Sequence, residues 1–447
     1  MRFYVALVPV LLLAACAGPE ELIPEELRCQ LGTYRIASSG ALIDIGLSGT
    51  EQLRWRTLDG RVGRVGRGEG IDAVWSGTTG WGEDANPARL RLGDCEDSHI
   101  EVDGIEGVEG KGVRVPWQAT DVRFEGAGEE LAGRLVLPSG DDPIPLVVLV
   151  HGSEDSSALD YSYHQRMLPA QGIAVFVYDK RGTGGSTGKY SQDFHLLAAD
   201  AAAAHRTALE MAGDRVAASG YFGASQGGWV APLAATLSEV DFVIASYGMA
   251  EGPTAEDRDE IQLRLREAGY GEEALAKARE VTDATRLLLM SDFKEGQEDL
   301  ARVRRAYADE EWFPYLEGGI TWEMVIRPLW QFRIGYFFLD VGTSWAYEPL
   351  PVLRAIEAPM LWVLAGDDRS APSARTREIL SDLQGEGRPI DVAFFPNTDH
   401  GIVRFTQDAQ GNRQSLGYAP GYLPLLADWL THRRLGDAYE GADLAPR

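Results

Sequence analysis

The sequence predicts an α/β protein with a mostly parallel central sheet that carries helices on both faces. Residues 145–150 form an uninterrupted apolar run, which is typical of a parallel strand buried on both sides. A second buried strand is predicted at residues 360–365. Between them, a glycine-flanked serine follows an apolar stretch and precedes a run that can be helical. These observations predict the central sheet, and a helical cap insertion and a small N-terminal β-rich domain complete the predicted fold.

The length and composition are those of a globular protein with more than one domain. The chain has 447 residues, enough for two or three domains with an ample core. Its hydrophobic content of 45% and charged content of 25% are ordinary. The formal net charge of −26 disfavours binding to nucleic acid and to anionic membrane surfaces. We therefore predict no nucleic-acid partner, and the oligomeric state stays open.

The N-terminus has the pattern of an export signal. A short positive region, Met1-Arg2, precedes an apolar stretch at 3–13 that is too short to span a membrane and fits a cleaved signal peptide. The sequence Leu-Ala-Ala-Cys that ends at Cys16 resembles a bacterial lipobox. That resemblance implies lipidation of Cys16, a membrane anchor, and a location in the cell envelope, periplasmic or outer-membrane. An ordinary secretion signal with an incidental cysteine is the alternative.

The segment after the polar tether predicts a small β-rich module without a catalytic constellation. Short runs of alternating or apolar character, such as residues 42–45 and 53–56, are separated by turn signals such as Asp59-Gly60. Cys29 and Cys95 bracket most of this segment, and an oxidising periplasm permits a disulfide between them. We therefore expect a Cys29–Cys95 bridge.

The most informative motif is the pentapeptide at 223–227, which reads G-x-S-x-G. Its apolar lead-in and possible following helix are the setting of a nucleophile elbow, in which serine stands at the tip of a sharp turn. Gly223 and Gly227 provide the space needed where strand and helix approach closely. Ser225 is therefore the predicted nucleophile.

An acid and a histidine follow in the order that a catalytic triad of this kind requires. Asp367 and Asp368 come directly after the strand at 360–365, and His400 follows an apolar strand at 392–395. Open α/β sheets carry their chemistry at such strand ends. His400 is the predicted general base, and one aspartate would orient its ring. Asp399 is expected to be a turn residue.

Together these motifs resemble a serine α/β-hydrolase of the bacterial esterase/lipase type, over about residues 121–430. The opening strands near 122–138 and the turn at 179–186, which fits D-x-R-G-x-G-x-S, carry the rest of the resemblance. It implies Asp368 as the triad acid, because the family's acid loop has its aspartate four residues before a proline; Asp367 is the alternative. The fold matches many hydrolases, so the resemblance does not specify a substrate.

The same resemblance implies an oxyanion hole built from two backbone N–H groups. One belongs to Gln226, directly after the nucleophile, and the other comes from the loop after the strand at 145–150. We assign the second to Ser153, with Glu154 as the alternative. His151 is expected to shape this loop.

The long stretch between elbow and acid predicts a helical cap. Helices are expected at 257–268, 272–291 and 298–308, and an aromatic-rich part follows. The predicted boundaries are a signal peptide at 1–15, a lipidated cysteine and tether at 16–26, the β-rich domain at 27–117, the hydrolase core at 118–250 and 348–435, the cap at 251–347, and a C-terminal tail at 436–447.

The predicted function is hydrolysis of a carboxylic ester of a small acyl substrate through an acyl-Ser225 intermediate. A thioesterase or a serine peptidase of the same fold would use the same triad, and a non-catalytic envelope binding or scaffold protein is an alternative of another class. No cofactor or metal is predicted. The run at 184–189 superficially resembles a phosphate-binding loop, but Thr183 occupies the place of its required first glycine.

Overall fold

The computed structural model describes residues 28–49, 51–68, 74–82, 85–94, 98–317, 319–331, 333, 341–409 and 411–447. The predicted signal peptide, the tether and Cys16 lie outside the described residues, as does Cys95. Lipidation of Cys16 and the Cys29–Cys95 disulfide therefore stay predictions.

The predicted β-rich segment forms a closed antiparallel barrel of eight strands. They are β1 (Gly32–Ile36), β2 (Leu42–Leu47), β3 (Gln52–Thr57), β4 (Val62–Gly66), β5 (Trp75–Thr79), β6 (Ala85–Leu92), β7 (His99–Asp103) and β8 (Gly110–Arg114). Apolar side chains such as Ile43, Leu53 and Leu90 fill its interior. Pairing of β1 with β8 closes the barrel, so the sheet has no free edge strand.

The second part of the chain contains a nine-stranded sheet and a small three-stranded sheet. The strands are β9 (Trp117–Glu125), β10 (Glu130–Pro138), β11 (Ile144–Val150), β12 (Ala174–Tyr178), β13 (Val216–Ala224), β14 (Phe242–Ser246), β15 (Met360–Ala365), β16 (Ile390–Phe395), β17 (Thr398–Asp399), β18 (Val403–Gln407), β19 (Arg413–Tyr418) and β20 (Asp443–Ala445). The large sheet has the order β20-β16-β15-β14-β13-β11-β12-β10-β9. Its six consecutive strands from β16 to β12 are parallel, and the pairs β12–β10, β10–β9 and β16–β20 are antiparallel, which confirms the predicted, mostly parallel sheet.

Helices cover both faces of this sheet. The helices of the described residues are α1 (Ala158–Tyr161), α2 (His164–Met167), α3 (Phe194–Ala212), α4 (Gly227–Ala235), α5 (Pro253–Glu267), α6 (Glu272–Met290), α7 (Gln297–Tyr307), α8 (Ile320–Ile326), α9 (Pro349–Ala355), α10 (Ala374–Gly385) and α11 (Tyr422–His432). Side chains of α3, α4 and α10 share one apolar core with the sheet, and those of α2 and α11 share the other. None of the described helices is both long and apolar enough to cross a membrane.

The helices α5 to α8 are inserted between β14 and β15 and have an apolar core of their own. Three of them lie close to the predicted positions. Helix α5 begins at Pro253, four residues before the predicted start, because proline is well suited to the first helical position, where its missing N–H has no helical partner. Part of the predicted aromatic stretch, including Phe332 and 334–340, lies outside the described residues.

The C-terminal segment differs from the predicted tail. Strand β20 pairs antiparallel with β16 and forms the edge of the large sheet. The backbone N–H of Arg447 also donates to the buried Asp391 carboxylate at 2.9 Å. A three-residue strand has too little pattern to be detected in the sequence.

Candidate active site

Ser225 lies on a strained turn between β13 and α4. Its φ of 54° falls in the left-handed region, which non-glycine residues seldom adopt. The Ser225 N–H donates to the Ser246 carbonyl at 3.0 Å, and the Ser225 carbonyl accepts from Gly228 at 2.7 Å. A Cβ added to Gly223 would lie 2.0 Å from the Gly227 carbonyl oxygen. The turn therefore has the geometry of an elbow, and only glycine fits at position 223.

His400 and Asp368 meet Ser225 from two later loops. His400 Nε2 lies 3.0 Å from Ser225 Oγ, and His400 Nδ1 lies 2.9 Å and 3.1 Å from the two carboxylate oxygens of Asp368. Asp368 is buried and accepts further bonds from the backbone N–H groups of Ser370 and Ala371 at 2.9 Å and 2.7 Å. These bonds fix the carboxylate so that it faces the imidazole.

The neighbouring Asp367 makes hydrogen bonds through its backbone. Its backbone N–H donates to the Thr398 carbonyl at 2.8 Å, and its carbonyl accepts from Arg413 at 2.5 Å. Within the described part of the chain, Asp368 is the aspartate whose carboxylate contacts the ring of His400. The geometry thus favours Asp368 over Asp367 as the orienting acid.

The charges around His400 favour its protonated form. Burial lowers the pKa of His400, but the hydrogen bond and charge of Asp368, together with the charges of Glu256 and Asp399, leave that pKa above its ordinary value. A carboxylate that stabilises the imidazolium is what a general base needs after it accepts a proton.

Asp399 braces the loop that carries His400, and it lies in the short strand β17 rather than in the predicted turn. Its carboxylate accepts from the N–H groups of His400 at 2.8 Å and Arg369 at 3.2 Å, and it pairs with Arg413 at 2.7 Å. Burial acts to raise the pKa of Asp399, but the Arg413 hydrogen bond and the two backbone bonds lower it below its ordinary value. Arg413 was not among the predicted site residues, because it lies on β19, which the sequence does not reveal.

The loop after β11 lies beside Ser225 and is held by three side chains. His151 Nε2 contacts the Tyr178 carbonyl, the Lys180 ammonium donates to the Gly152 carbonyl at 2.9 Å, and the Tyr190 hydroxyl donates to the Ser153 carbonyl. His151 therefore shapes the loop, as predicted. A Cβ added to Gly152 would come within 3.4 Å of the Ser225 Cβ, so the loop backbone passes directly beside the nucleophile.

Backbone N–H groups that could donate to an oxyanion lie beside Ser225. Among the described residues, those of Gln226 and Ser153 have no acceptor. Burial raises the pKa of Glu154, but the hydrogen bond and charge of His151, together with the charge of Lys180, lower it to about 2. The N–H of Ser153 is therefore available as a second donor, and Glu154 stays the alternative.

The turn predicted from D-x-R-G-x-G-x-S holds the loops around this site in place. The Asp179 carboxylate accepts from the Ser157 hydroxyl at 2.9 Å and from the N–H groups of Leu159 and Gly185 at 3.1 Å and 2.8 Å. Arg181 makes a buried two-fold contact with Asp200 at 2.7 Å and 2.8 Å. The motif thus connects α1 and α3 to the end of the sheet.

Two cavities open on either side of Ser225. The larger, of about 540 Å³, is lined in part by the aromatic side chains Tyr161, Tyr163, His164, Phe222 and Tyr247, together with several serines and Glu154. The smaller, of about 200 Å³, is lined by Phe194, Trp229, Trp345, Gln226 and Glu256, among others. Of these lining residues only Gln226 was predicted from the sequence, since nothing in the local pattern of the others distinguishes them from core residues.

Glu256 places a carboxyl group from α5 in the smaller cavity. Burial, together with the charges of the nearby acids Glu260, Asp368 and Asp257, outweighs the opposing effect of His400 and raises the pKa of Glu256 to about 7. Helix α5 therefore contributes a group whose charge changes near neutral pH beside the Ser225–His400 pair.

This sheet, with a serine on a strained turn and a histidine and an aspartate on later loops, defines a serine hydrolase of the α/β fold. Residues 141–254, which include the turn, match the family model Hydrolase_4, described as serine aminopeptidase, S33. No curated protein matches the chain.

Solved structures with a similar fold include peptidases and esterases. Acylaminoacyl peptidase from Pyrococcus horikoshii is 14% identical with a TM-score of 0.45, and the match covers 89% of this chain and 57% of that one. An esterase from Pyrococcus furiosus is 15% identical with a TM-score of 0.40, over 64% of this chain and 84% of that one. An esterase from Pyrobaculum calidifontis is 16% identical with a TM-score of 0.39, over 64% and 77%. Likenesses at this level carry no inference about the substrate.

Proposed function

We propose that this protein is a serine hydrolase that cleaves carboxylic esters through an acyl-Ser225 intermediate. The observation that supports this most directly is the continuous hydrogen-bond chain from Ser225 Oγ through the two nitrogens of His400 to the Asp368 carboxylate. Such a chain is what proton transfer from a serine hydroxyl requires.

In the proposed reaction, Ser225 Oγ attacks the ester carbonyl while His400 Nε2 takes its proton. His400 then gives that proton to the leaving alcohol, and Asp368 keeps the Nδ1–H tautomer in place and stabilises the imidazolium. A water molecule, activated by the same histidine, releases the acid and restores Ser225. The N–H groups of Gln226 and Ser153 would receive the oxyanion, a contribution of roughly 10²- to 10³-fold in rate for each donor.

The helical insertion would act as a cap over one side of the site. Pro253 and Glu256 of α5 line the smaller cavity together with Ser225, which supports this role. The lipobox resemblance leads us to propose further that Cys16 is lipidated and anchors the enzyme in the bacterial envelope. Mass spectrometry of the N-terminal peptide tests this: an unmodified Cys16 peptide would contradict it.

A serine peptidase is the second candidate, because the matching family model is described as serine aminopeptidase. A thioesterase would use the same groups. A panel of short and long esters, thioesters and aminoacyl amides, assayed with the mature protein, separates these three: we expect the highest kcat/KM with an ester. Faster cleavage of aminoacyl amides than of esters would identify the protein as a peptidase instead of an esterase.

Substitution of the nucleophile tests the catalytic assignment. Ser225→Ala should abolish ester turnover and labelling by a fluorophosphonate probe, with an unchanged circular dichroism spectrum. A wild-type protein that neither turns over an ester nor reacts with the probe would instead be the non-catalytic binding protein.

Substitution of each of the two adjacent aspartates tests which one is the triad acid. Asp368→Asn should lower kcat by roughly 10⁴-fold, because the ring of His400 loses its correct tautomer. Asp367→Asn should change kcat little, since that residue contacts its neighbours mainly through its backbone. Similar losses in both variants would remove Asp368 from the proposed triad.

A further inference from the structure

The N-terminal barrel has a direct connection to the larger cavity beside Ser225. The geometry points to a substrate site that the barrel completes. Asp44, together with Arg166 and Arg56, holds the stacked rings of Tyr163 and His164 in position. A planar aromatic group of the substrate packs against these two rings. This inference rests on the proposed hydrolase function and names its substrate class.

The connection begins at Asp44, which is fully buried on β2 of the barrel. Its carboxylate accepts two bonds from Arg166 of α2, at 2.8 Å from Nε and 3.0 Å from Nη2. Arg56 of β3 donates to the same carboxylate at 3.3 Å. A buried carboxylate held by two arginines in this way gives α2 one defined position relative to the barrel, since two-fold Arg–carboxylate pairs are geometrically specific.

The same arginines reach the wall of the cavity. The Arg56 guanidinium lies over the Tyr163 ring, 4.7 Å from its centre. Tyr163 in turn stacks on His164, with 4.0 Å between ring centres, and His164 lies 4.9 Å from Phe222 of β13. Phe222 stands three positions before Ser225 on the strand that leads into the elbow, so a continuous series of contacts joins the barrel to the nucleophile.

The electrostatics keep the ring pair suited to an uncharged aromatic group. Burial, followed by the charges of Arg56 and Arg166, lowers the pKa of His164 to about 3, so the ring is neutral at physiological pH. Its Nε2 has no hydrogen-bond partner among the described residues. A neutral imidazole stacked on a phenol gives this part of the wall a flat, polarisable surface without a formal charge, whereas Glu154 contributes a carboxylate elsewhere in the same cavity.

The cavity has the shape and chemistry for such a group. Aromatic side chains from four different segments contribute to its walls, and its volume of about 540 Å³ exceeds what a single ring needs. Tyr247, on the side towards the nucleophile, lies 5.0 Å from the ring of His400. Aromatic rings prefer one another in stacked and edge-to-face arrangements, which a saturated ring of the same size cannot reproduce.

Matched ester pairs test the substrate class. We would measure kcat and KM by pH-stat for methyl 3-phenylpropanoate against methyl 3-cyclohexylpropanoate, and for benzyl acetate against cyclohexylmethyl acetate. The cavity should favour the phenyl compound by about three- to tenfold in kcat/KM in one of the two pairs. The pair that responds tells whether the cavity holds the acyl or the alcohol portion.

Three variants test the role of the barrel. Asp44→Asn and Arg56→Gln should reduce the phenyl preference, mainly through a higher KM for the phenyl ester. Tyr163→Leu removes the ring itself and keeps the Asp44–Arg166 pair. Its phenyl preference therefore measures the contribution of the ring even if Asp44→Asn fails to fold. Glu101→Gln, which alters an exposed ion pair on the barrel strand β7, is the matched control and should keep the wild-type preference.

The outcomes separate this inference from the proposed function. No turnover of any ester would overturn the hydrolase assignment itself. Turnover without a phenyl preference in either pair, or a preference that none of the folded variants changes, would overturn the barrel-completed aromatic site and leave the hydrolase intact. A preference lost in Tyr163→Leu but kept in folded Asp44→Asn and Arg56→Gln would also overturn the positioning role of the barrel.

Discussion

Two non-glycine residues adopt strained backbone conformations beside the reacting groups. Ser225, with φ of 54°, follows β13, and Tyr247, with φ of 42°, follows the neighbouring strand β14. Each such residue costs about 1–3 kcal/mol and persists only where its surroundings hold it. Here the Ser246 carbonyl accepts from Ser225, and the Val363 carbonyl accepts from Tyr247 at 2.7 Å. The parallel sheet itself therefore holds the strained turn and the neighbouring aromatic wall.

Glu256 should influence the pH dependence of catalysis through His400. The negative charge of Glu256 is one of the causes that raise the pKa of His400. In Glu256→Gln that cause is lost, so His400 should become active as a base at lower pH. We expect the acidic limb of the kcat/KM profile to move to lower pH, measured with an ester between pH 5 and 9.

A nearby acid on the same helix gives the control for this experiment. Glu260 of α5 pairs with Arg264 and is not among the main causes that shift the pKa of His400. Glu260→Gln should therefore move the acidic limb less than Glu256→Gln. An acidic limb that stays in place in Glu256→Gln, or moves to higher pH, would contradict the assigned electrostatic contact.

Helices and strands around the elbow pack backbone against backbone. A Cβ on Gly227 would lie 2.6 Å from the Val150 carbonyl oxygen, and one on Gly228 would lie 3.0 Å from the Cα of Gly248. Strands β11, β13 and β14 and helix α4 thus meet without intervening side chains. This close packing explains why the glycines of the pentapeptide are as necessary as its serine.

Gly223→Ala should disrupt this junction. The added methyl group would stand 2.0 Å from the Gly227 carbonyl oxygen, so the turn must shift, at a cost of about 1–3 kcal/mol or more in the free energy of unfolding. Gly385→Ala is the matched control, because no atom lies within 4 Å of its added Cβ and alanine favours a helix by up to about 1 kcal/mol. Denaturant titrations and ester assays of both variants measure these effects. Equal stability and activity of Gly223→Ala and wild type would contradict the packing described.

The three-stranded sheet after β16 joins the histidine loop to the barrel. His400 lies in the turn between β17 and β18, and Tyr418, at the end of β19, donates its N–H to the Gly60 carbonyl of the barrel at 2.8 Å. The barrel thus contacts the hydrolase at α2 through Asp44 and at β19 through Gly60. Both contacts adjoin segments that carry site residues, which makes the barrel a structural part of the enzyme.

Buried histidines should make the stability of the folded chain sensitive to acid. Burial lowers the pKa of His205 to about 4 and that of His164 to about 3, whereas an unfolded chain has the ordinary value near 6.5. The unfolded state therefore takes up protons first, and stability falls as the pH drops below about 6.5. The loss is about 1.4 kcal/mol per pH unit for each histidine, until the pH reaches the folded-state pKa.

A variant isolates the contribution of one histidine. His205→Gln can keep a hydrogen bond to Ser219, which His205 contacts at 2.9 Å, but it removes the titrating ring. Between pH 6.5 and 4.5 the free energy of unfolding, measured by urea titration, should fall less steeply than in wild type. His432→Gln, at an exposed position near the end of α11, should retain the wild-type slope. A slope that is identical in His205→Gln and wild type would count against the buried neutral histidine.

Local patterns were sufficient for the central sheet and for the residues at its strand ends. Runs of apolar residues identify parallel strands that are buried on both faces, and the elbow requires its glycines within five positions. For this reason Ser225, Asp368 and His400 could be named as candidates, and helices in the insertion were predicted to within a few residues. The competing acid Asp367 could not be separated from Asp368, because adjacent residues share the same strand end and differ only in direction.

Contacts between distant segments follow from the packed chain and have no local signature. Ser225 and His400 are 175 positions apart, and Asp44 and Arg166 are 122 apart, so their distances depend on how the sheet and barrel pack against each other. Closure of the barrel, the short strands β17 and β20, and the aromatic cavity arise from such contacts. Apolar periodicity and turn residues specify which elements form and in what order, whereas packing determines which side chains from different elements meet at Ser225.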